Sequence, residues 1–372
     1  MKRSFIREIL ESIDSTTISF AGGLPDESCF PKKKLRKASN KVLKENTTFQ
    51  YGQSNGIYEL RNQIAKFYTK KGFKTKADNI LITSGSQQAL YILANYFSTQ
   101  NIIIESPSYL GAVNVFKANS LKMKTIQLHN NGIDIKKFTK IYKNTKLAYL
   151  IPDFQNPKGS LYSNKKRGKI AKNIQKYGGY IIEDAPYSEL FFKKELQSIS
   201  SMVPKNSFHL GSFSKTLSPA LRIGWIRADK KLIENLIIIK ESIDLHSCGI
   251  SQAILIEFLK DTKVYAKHLD KLRTTYKKKM NFFSKILKKE IPNIEFIKPK
   301  GGMFIYVKLQ GIDTKKLFQK TIKEKIVFVP GSEFYIENTQ SNEIRFSFTN
   351  ATRKEIKEGI KRLKFIINNN YK

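Results

Sequence analysis

The stretch that decides the fold reads Gly211-Ser-Phe-Ser-Lys-Thr-Leu-Ser-Pro-Ala-Leu-Arg-Ile-Gly-Trp225 and places Lys215 among small hydroxyl residues. Ser212 and Ser214 could hold a phosphate beside the lysine amine, and Arg222 could bind the same phosphate through two donors at once. A lysine that must form an imine with an aldehyde needs such surroundings. The stretch therefore predicts a cofactor anchor, although by itself it could also be a serine-rich loop before a buried strand.

The composition predicts a chain with a substantial core. Of its 372 residues, 40% are hydrophobic and 12% aromatic, so we expect one large and one smaller domain. We find no apolar run long enough for a membrane span, and the charged start does not continue as a signal peptide. Cys29 and Cys248 lie far apart and in no metal or Cys-x-x-Cys spacing, which favours a reducing compartment. We expect a soluble, cytoplasmic protein without a metal site.

The net charge of +36 is the one compositional feature that points away from a small-molecule enzyme. A chain this basic could be held on nucleic acid by phosphate contacts. The excess is lysine spread over the predicted helices, as in 267–280, where charged and apolar residues alternate at helical spacing. This pattern favours solvated helix faces, so nucleic-acid binding is the weaker interpretation.

Short apolar runs alternate with helical patterns through the middle of the chain. They predict an α/β fold with a mostly parallel, seven-stranded sheet between helices. The predicted strands are 79–83, 101–105, 122–127, 146–151, 179–183, 207–210 and 223–227. Because most of the candidate residues follow these strands, we expect them to meet at the carboxyl edge of the sheet.

The pattern changes after this region. We expect one long helix from Leu232 to Lys260 and a second from Val264 to Lys289. The elements expected after them form a small α+β domain: strands at 294–309, 326–334 and 343–348 and a helix at 351–367. The predicted division is an N-terminal segment at 1–46 without a sheet of its own, a large domain at 47–262 and a small domain at 263–372.

Two further motifs suit an anion and a cation. In Ile82-Thr-Ser-Gly-Ser-Gln-Gln-Ala-Leu90, a predicted strand leads into a helix, so the amides of Gly85, Ser86 and Gln87 would point at an anion. The same motif is also an ordinary helix N-cap. Asp184 ends a strongly apolar strand, where a carboxylate is costly unless a cation pairs with it, whereas Glu183 would face the other side of the strand.

Three other residues have a functional and a structural interpretation. Arg345 lies in an apolar strand pattern and needs an acid partner, which is either a substrate carboxylate or a structural salt bridge. Tyr109 follows a strand and either stacks on a ligand or fills a buried site. Asn156 lies in Asn156-Pro-Lys-Gly159, a turn that is common in unrelated loops.

Taken in order, these motifs resemble those of the fold type I, class I/II aminotransferases that use pyridoxal 5′-phosphate (PLP). Within that family the chain is most similar to the branch of 2-aminoadipate and aromatic aminotransferases, which also includes the catalytic domain of MocR-type regulators. The resemblance extends from Phe20 to Phe348, and one departure is Lys158, where Thr or Ser is usual. It implies that Lys215 holds PLP as an internal aldimine and shuttles the substrate proton. Asp184 would keep the ring nitrogen protonated, and Tyr187 and Asn156 would bind the phenolic oxygen.

The resemblance also assigns the remaining residues. Tyr109 would stack on the ring, and Gly23, Asn156 and Arg345 would bind the substrate. The cofactor phosphate would be held by Gly85, Ser86, Gln87, Ser212, Ser214 and Arg222. Tyr51 would reach the phosphate of the neighbouring subunit, which implies a homodimer with shared active sites.

The activity implied is ping-pong transamination between an L-amino acid and a 2-oxo acid. A PLP-dependent lyase or decarboxylase would use the same anchor, because the reaction depends on which bond of the substrate Cα lies perpendicular to the ring. A MocR-type regulator needs a DNA-reading head, for which we expect no room before Phe20. After Gly23 the N-terminal segment offers only Lys32 to Lys34 before Arg36, so we cannot assign a reader of a distal carboxylate and expect a broad or hydrophobic donor preference.

Overall fold

A large, mainly parallel sheet forms the centre of the structure, a computed structural model that describes residues 5–337 and 341–370. Its strands are β2 (Ile80–Thr83), β3 (Asn101–Ser106), β4 (Lys122–His129), β5 (Gly132–Ile133), β6 (Leu147–Leu150), β7 (Tyr180–Asp184), β8 (Ser207–Ser212) and β9 (Gly224–Arg227). They lie in the order β2-β9-β8-β7-β6-β3-β4-β5, with β9 antiparallel to both neighbours and β5 antiparallel to β4. The seven predicted strands are present within two residues of their expected bounds, and the short β5 adds an eighth.

Helices cover both faces of this sheet. Along β3, Ile104 packs in the hydrophobic cluster that includes the helices at 86–96 and 110–118, whereas Ile103 packs in the cluster of the helices at 135–145 and 164–177. Successive side chains of a strand point to opposite faces, so a continuous apolar run indicates burial on both sides. The helices are α1 (Phe5–Ser12), α2 (Lys32–Val42), α3 (Tyr58–Lys70), α4 (Ser86–Tyr96), α5 (Leu110–Ala118), α6 (Ile135–Thr145), α7 (Asn164–Tyr177), α8 (Ile199–Met202), α9 (Lys230–Asp244), α10 (Gly249–Leu259), α11 (Thr262–Glu290), α12 (Thr314–Lys323) and α13 (Arg353–Asn370).

A small antiparallel sheet follows α11. Its strands, in the order β10-β11-β14-β13, are β10 (Glu295–Phe296), β11 (Phe304–Lys308), β13 (Val329–Pro330) and β14 (Glu343–Ser347). The expected single strand at 294–309 is divided by the turn containing Gly301 and Gly302. The expected strand at 326–334 is divided at Phe328 and ends before a short 3-10 turn at Gly331–Phe334. In the N-terminal segment, β1 (Ile18–Ser19) pairs in parallel with β12 (Ile326–Val327), a pairing that the sequence did not reveal.

The prediction of one continuous helix from Leu232 to Lys260 is wrong. The chain leaves the helix after α9 at Leu245, whose φ is 60°, and re-enters it at Gly249. Side-chain contacts hold this break, since Gln252 Nε2 donates to the Ser247 carbonyl at 2.9 Å. Apolar periodicity continues across the break, which is why the sequence suggested one helix.

The structure also bears on membrane and metal binding. Within 5–337 and 341–370, no helix is both long and apolar enough to cross a bilayer. In the same ranges, no group of three or more His, Cys, Asp or Glu side chains is suited to hold a metal ion.

Candidate active site

The carboxyl ends of four adjacent strands bring most of the predicted site residues to one edge of the large sheet. In the order β8-β7-β6-β3, these strands lead into the segments that carry Lys215, Tyr187, Asn156 and Tyr109. Asp184 is itself the last residue of β7. Open α/β sheets bind ligands in the crevice outside this edge.

Asp184 has a buried oxygen without a partner. The residue is 2% exposed, and its Oδ2 accepts a hydrogen bond from Tyr149 Oη at 2.7 Å. Its Oδ1 is buried and has no hydrogen-bond partner among the described residues. Burial raises the pKa of this carboxyl group to about 6, because the charged form loses solvation. The position therefore suits a cationic N–H donor from a ligand.

Glu183, the preceding carboxylate, is fully used by the fold. It accepts hydrogen bonds from the backbone amides of Ile199 and Ser200, at 3.0 and 2.6 Å. These amides begin α8, where a carboxylate is favourable. The two neighbouring acids thus face different surroundings, and only Asp184 keeps an unpaired oxygen.

Lys215 lies in the loop after β8 and is half-buried. Its Nζ donates to the Gly23 carbonyl at 2.9 Å, so the predicted anchor meets the N-terminal segment. The next residue, Thr216, is held from α11 by Tyr265 Oη at 3.3 Å and by His268 Nε2 at 2.6 Å. These two contacts fix the backbone beside Lys215.

The backbone of the turn before α4 lies very close to Arg222 and Gly224. Gly85 has a φ of +81°, and a Cβ atom added there would lie 2.7 Å from Arg222 Nη2. Arg222 Nη2 donates to the Ser84 carbonyl at 3.0 Å, and a Cβ at Gly224 would lie 2.7 Å from the Gly85 carbonyl carbon. The structure therefore brings Arg222 against the start of α4, whose first amides, including those of Ser86 and Gln87, form a site suited to an anion.

Two serines and one tyrosine complete this side of the site. Ser212 Oγ accepts from the Ser214 amide at 3.1 Å and donates to the Ile223 carbonyl at 3.4 Å. Tyr109 is half-buried, and its Oη donates to Gln87 Oε1 at 3.3 Å. Tyr109, which is predicted to stack on the cofactor ring, thus contacts Gln87, which is predicted to bind the cofactor phosphate.

Glu105 supports the loops that carry Tyr109 and Asn156. It is fully buried, and its Oε2 accepts from Gln155 Nε2 at 3.0 Å. The same Gln155 amide donates to the Pro107 carbonyl at 2.9 Å. Burial raises the pKa of Glu105 to about 8. These hydrogen bonds tie the segment before Tyr109 to the segment before Asn156.

Arg345 connects β14 to the carboxyl edge of the large sheet. Its Nη1 donates to Asn156 Oδ1 at 2.8 Å and its Nη2 to the Ala21 carbonyl, while Asn156 Nδ2 lies 3.5 Å from Tyr187 Oη. The guanidinium carbon lies 4.4 Å from the ring centroid of Phe304. Burial lowers the pKa of Arg345 to about 10, so the group stays protonated near neutral pH.

The Arg345 guanidinium has capacity left for a ligand. The residue is 1% exposed, and its Nε is buried without a hydrogen-bond partner among the described residues. Its hydrogen bonds go to an amide oxygen and a carbonyl, and none goes to a carboxylate in residues 5–337 and 341–370. The structural salt bridge considered as an alternative is therefore not formed there, and the buried charge suits a carboxylate ligand.

Tyr51 and Gly23 lie at the margin of the site. Tyr51 is 79% exposed, and its ring packs edge-on against His246 at 5.7 Å between centroids. Gly23 lies against Phe304, since an added Cβ would be 3.1 Å from the Phe304 Cζ atom. Within the described residues, Tyr51 shows no hydrogen bond or ring contact with another predicted site residue.

The sequence interpretation missed Tyr149, the hydrogen-bond donor to Asp184. Tyr149 lies in β6 and is fully buried, and it pairs in register with Ile182 on β7. A tyrosine in an otherwise apolar strand was the available signal, because a buried hydroxyl group needs a partner. Its partner could be identified only once the register of the two strands was known.

Comparison with known proteins identifies the family. The family model of class I and II aminotransferases matches residues 20–363. The chain belongs to this family. A 2-aminoadipate transaminase of Thermus thermophilus is 32% identical over 98% of this chain and 93% of its own length. An aromatic-amino-acid aminotransferase of Thermococcus litoralis is 34% identical over 98% and 91%.

A solved structure extends the comparison to the fold. The alpha-aminoadipate aminotransferase LysN of Thermus thermophilus, complexed with N-(5'-phosphopyridoxyl)-L-leucine, has a TM-score of 0.92 at 31% identity. The match covers 99% of this chain and 95% of that chain. The predicted family, PLP transferase fold type I, enzyme class and transamination activity are thereby confirmed. The lyase and nucleic-acid alternatives are not favoured.

The residues at this edge of the sheet fit PLP, the cofactor of the family. The unpaired Oδ1 of Asp184 suits the protonated nitrogen of a pyridine ring. The glycine-lined start of α4, with Arg222 against it, suits a phosphate. Lys215 supplies an amine at the same edge of the sheet. The ring nitrogen, the phosphate and the aldehyde of PLP thus each have a matching group at this edge of the sheet.

Proposed function

We propose that this aminotransferase transfers the amino group of a hydrophobic L-amino acid to a 2-oxo acid by a ping-pong mechanism, with Lys215 as anchor and proton carrier. The observation that carries the proposal is the buried, unpaired Asp184 Oδ1 at the sheet edge that also bears Lys215. When bound, PLP supplies an electron-withdrawing ring that stabilises negative charge at the substrate Cα.

Each residue then has a defined task. Lys215 Nζ would hold the cofactor and would accept and return the proton of the substrate Cα. Asp184 keeps the ring nitrogen protonated, and Tyr149 fixes the carboxylate through its hydrogen bond of 2.7 Å. Asn156 and Tyr187 would donate hydrogen bonds to the phenolic oxygen, which would favour its charged form. Tyr109 packs on the ring.

The phosphate is assigned to the groups around the start of α4. The amides of Ser86 and Gln87 at the start of α4 would bind the anion, and Arg222 lies against the same turn. The predicted Gly85 amide donates instead to the Thr83 carbonyl at 2.8 Å, so Gly85 contributes the close approach of the turn. Ser212 and Ser214, which are hydrogen-bonded to each other, add hydroxyl donors from the loop that carries Lys215. Backbone amides, hydroxyls and a guanidinium together satisfy a dianion.

The substrate α-carboxylate is assigned to Arg345 and Asn156, with the backbone at Gly23 beside them. Arg345 Nη1 already holds the Asn156 side chain at 2.8 Å, so the two groups are oriented before substrate arrives. The rings of Phe304 and Phe334 lie 4.4 and 5.1 Å from the guanidinium carbon and restrict its motion. This arrangement fixes the end of the substrate that all amino acids share.

Arg345→Lys is expected to raise KM for both the amino acid and the 2-oxo acid roughly 10- to 100-fold, because an ammonium cannot replace bidentate binding. Steady-state kinetics on both substrates checks this, with kcat expected to change less than KM. Arg273→Lys is the matched control. Arg273 also stacks on a ring, with its guanidinium 3.9 Å from the centroid of Phe191, but it binds Glu189. Equal losses in both variants would contradict the assignment.

The preference for hydrophobic donors rests on the mouth of the site. Residues 20–31 contain no Arg or Lys, and the basic side chains Lys32, Lys33, Lys34 and Arg36 on α2 are exposed. Leu24, beside Gly23, is an exposed apolar side chain. The named relatives act on 2-aminoadipate and on aromatic amino acids, which differ in a distal carboxylate. Without an assigned cation for that carboxylate, the apolar class is favoured.

A donor series tests the function. The purified PLP-loaded protein is mixed with single amino acids, and the 2-oxo acid and pyridoxamine phosphate formed are measured by mass spectrometry before any acceptor is added. Stoichiometric formation of both products supports transamination, and parallel lines in double-reciprocal plots support the ping-pong mechanism. Carbon dioxide or ammonia as the product would favour decarboxylase or lyase activity. Higher kcat/KM on 2-aminoadipate than on leucine or phenylalanine would overturn the donor assignment.

We further propose that the protein is a homodimer in which Tyr51 reaches the cofactor phosphate of the second copy. Tyr51 is 79% exposed in the single chain, and its ring contacts His246. Phe49, two residues before Tyr51, and Leu245, directly before His246, are 63% and 50% exposed. Large apolar side chains exposed in this way mark an interaction surface. An extra hydroxyl donor at the phosphate would then come from the partner.

Tyr51→Phe is expected to raise the Kd for PLP roughly tenfold, because one hydrogen bond to a charged group is lost. Equilibrium titration of the apoprotein measures this, and sedimentation equilibrium reports the oligomeric state. Tyr91→Phe is the control, since Tyr91 is 41% exposed on α4 and has no assigned role. A monomer with full PLP affinity would rule out the shared site.

The remaining proposals concern organisation and location. The large sheet from β2 to β9 lies within 47–262, which supports a large cofactor domain there, with the N-terminal segment at 1–46 and a small domain at 263–372. Cys29 and Cys248 are both free, as expected in a reducing compartment. We therefore propose a cytoplasmic location, which fractionation of the native host would test.

A further inference from the structure

A lysine is completely buried behind the phosphate turn. Lys240, on α9, is 0% exposed, and its Nζ donates to Asp244 Oδ1 at 2.6 Å and to Gln88 Oε1 at 3.3 Å. A buried ammonium group is costly, so its partners must be held firmly. Neither Lys240 nor Asp244 has a role in the assignments above.

Asp244 connects Lys240 to the residues around the start of α4. Its Oδ2 accepts from Gln88 Nε2 at 2.7 Å and from Ser84 Oγ at 3.2 Å. Gln88 Oε1 in turn accepts from the Ser84 amide at 2.7 Å. The Ser84 carbonyl is bound by Arg222 Nη2 at 3.0 Å. Ser84 is therefore held at its amide, its side chain and its carbonyl, directly before Gly85.

From this geometry we propose that Lys240 and Asp244 are positioning residues that set the affinity of the site for the phosphate end of the cofactor; this inference rests on the proposed function. Asp244 supplies the acceptors that orient Ser84 and Gln88. Lys240 balances the charge of Asp244, which would otherwise repel an anion bound at Gly85. The ion pair orients the turn without adding net charge beside the phosphate.

Asp244 also lies at the break between α9 and α10. Asp244 is the last residue of α9, and its side chain is directed to Ser84 and Gln88 on another element. Two residues later, His246 contacts the Tyr51 ring at 5.7 Å, and its Nε2 accepts from the Gly52 amide at 3.4 Å. One short segment thus holds both the phosphate turn and the segment that carries Tyr51.

Titration of the apoprotein with PLP and with pyridoxal, which lacks the phosphate, tests the inference. Asp244→Ala and Lys240→Met are each expected to raise the Kd for PLP roughly tenfold while the Kd for pyridoxal changes by less than about twofold. The double variant Lys240→Met with Asp244→Asn keeps an oxygen acceptor for Ser84 and Gln88 and removes both charges. Its Kd for PLP is expected within about threefold of wild type.

The control is Lys364→Met, which breaks a partly buried pair with Glu290 at 3.2 Å between α13 and α11 and should leave both Kd values unchanged. If Asp244→Ala fails to fold, Gln88→Met tests the same inference, because it removes the oxygen that accepts from the Ser84 amide. It should raise the Kd for PLP and leave the Kd for pyridoxal nearly unchanged. Unchanged PLP affinity, or equal loss for PLP and pyridoxal, would overturn the inference. A wild-type protein that does not bind PLP would instead contradict the proposed function.

Discussion

Lys215→Ala is expected to lower kcat for transamination roughly 10³-fold or more, because the variant loses both the covalent anchor and the group that moves the Cα proton. In the structure Lys215 Nζ donates to the Gly23 carbonyl at 2.9 Å, and the neighbouring Thr216 is held by Tyr265 and His268. Single-turnover measurements with a saturating donor give the loss directly. Borohydride reduction followed by peptide mass spectrometry should show PLP fixed to the wild-type peptide alone.

Two further measurements separate this chemical role from a structural one. Methylamine at high concentration should restore part of the proton transfer in Lys215→Ala, because a free amine can enter the space left by the side chain. Lys166→Ala is the matched control, since Lys166 Nζ also donates to a backbone carbonyl, that of Gly132 at 2.8 Å, and it lies on α7. Full activity in Lys215→Ala, or a comparable loss in Lys166→Ala, would remove Lys215 from the mechanism.

Local patterns were sufficient to predict the elements around the site. Ile82 to Leu90 combines a β-branched run, a glycine and a helical pattern, and these fix a strand, a sharp turn and a helix N-terminus without information from elsewhere in the chain. The same holds for Asp184, because the apolar residues before it define a buried strand. Burial and the end of a strand together place a carboxylate in the crevice.

Contacts between distant segments could not be predicted in this way. The hydrogen bond from Arg345 to Asn156 joins residues 189 positions apart, and it depends on how the small sheet meets the large one. Tyr149 and Asp184 become partners only through the register of β6 and β7. The break after Asp244 could not be predicted either, because the apolar pattern continues through Leu245, where φ is 60°, and the contact that holds the break joins Gln252 to the Ser247 carbonyl.

Asp184→Asn is expected to lower kcat roughly 10²- to 10³-fold, because an amide cannot hold a charged partner at the ring nitrogen as a carboxylate does. The variant keeps the local structure, since an amide oxygen can still accept the hydrogen bond from Tyr149 Oη. Its affinity for PLP should fall as well. Steady-state kinetics and titration of the apoprotein measure both effects.

The same substitution should change how the stability of the apoprotein depends on pH. The pKa of Asp184 in the folded protein, about 6, lies above its ordinary value of 3.8 because burial disfavours the carboxylate. The folded state therefore binds the proton more tightly than the unfolded chain. In wild type this stabilising contribution is complete at low pH and is lost as the pH rises from about 4 to about 6, with a total on the order of 3 kcal/mol. An asparagine does not titrate, so the variant escapes this loss.

Melting curves of the two apoproteins at pH 5 and pH 8 check this expectation, with Asp184→Asn gaining stability relative to wild type at the higher pH. Saturating PLP should reverse the order, because the bound cation then favours the carboxylate. Glu183→Gln is the matched control, since that acid binds the amides of Ile199 and Ser200 and should affect stability with little change in kcat. If Glu183→Gln lost as much activity as Asp184→Asn, Asp184 would not be the group that holds the ring. If the relative stability of Asp184→Asn did not change with pH, burial would not raise the pKa of Asp184 in the apoprotein.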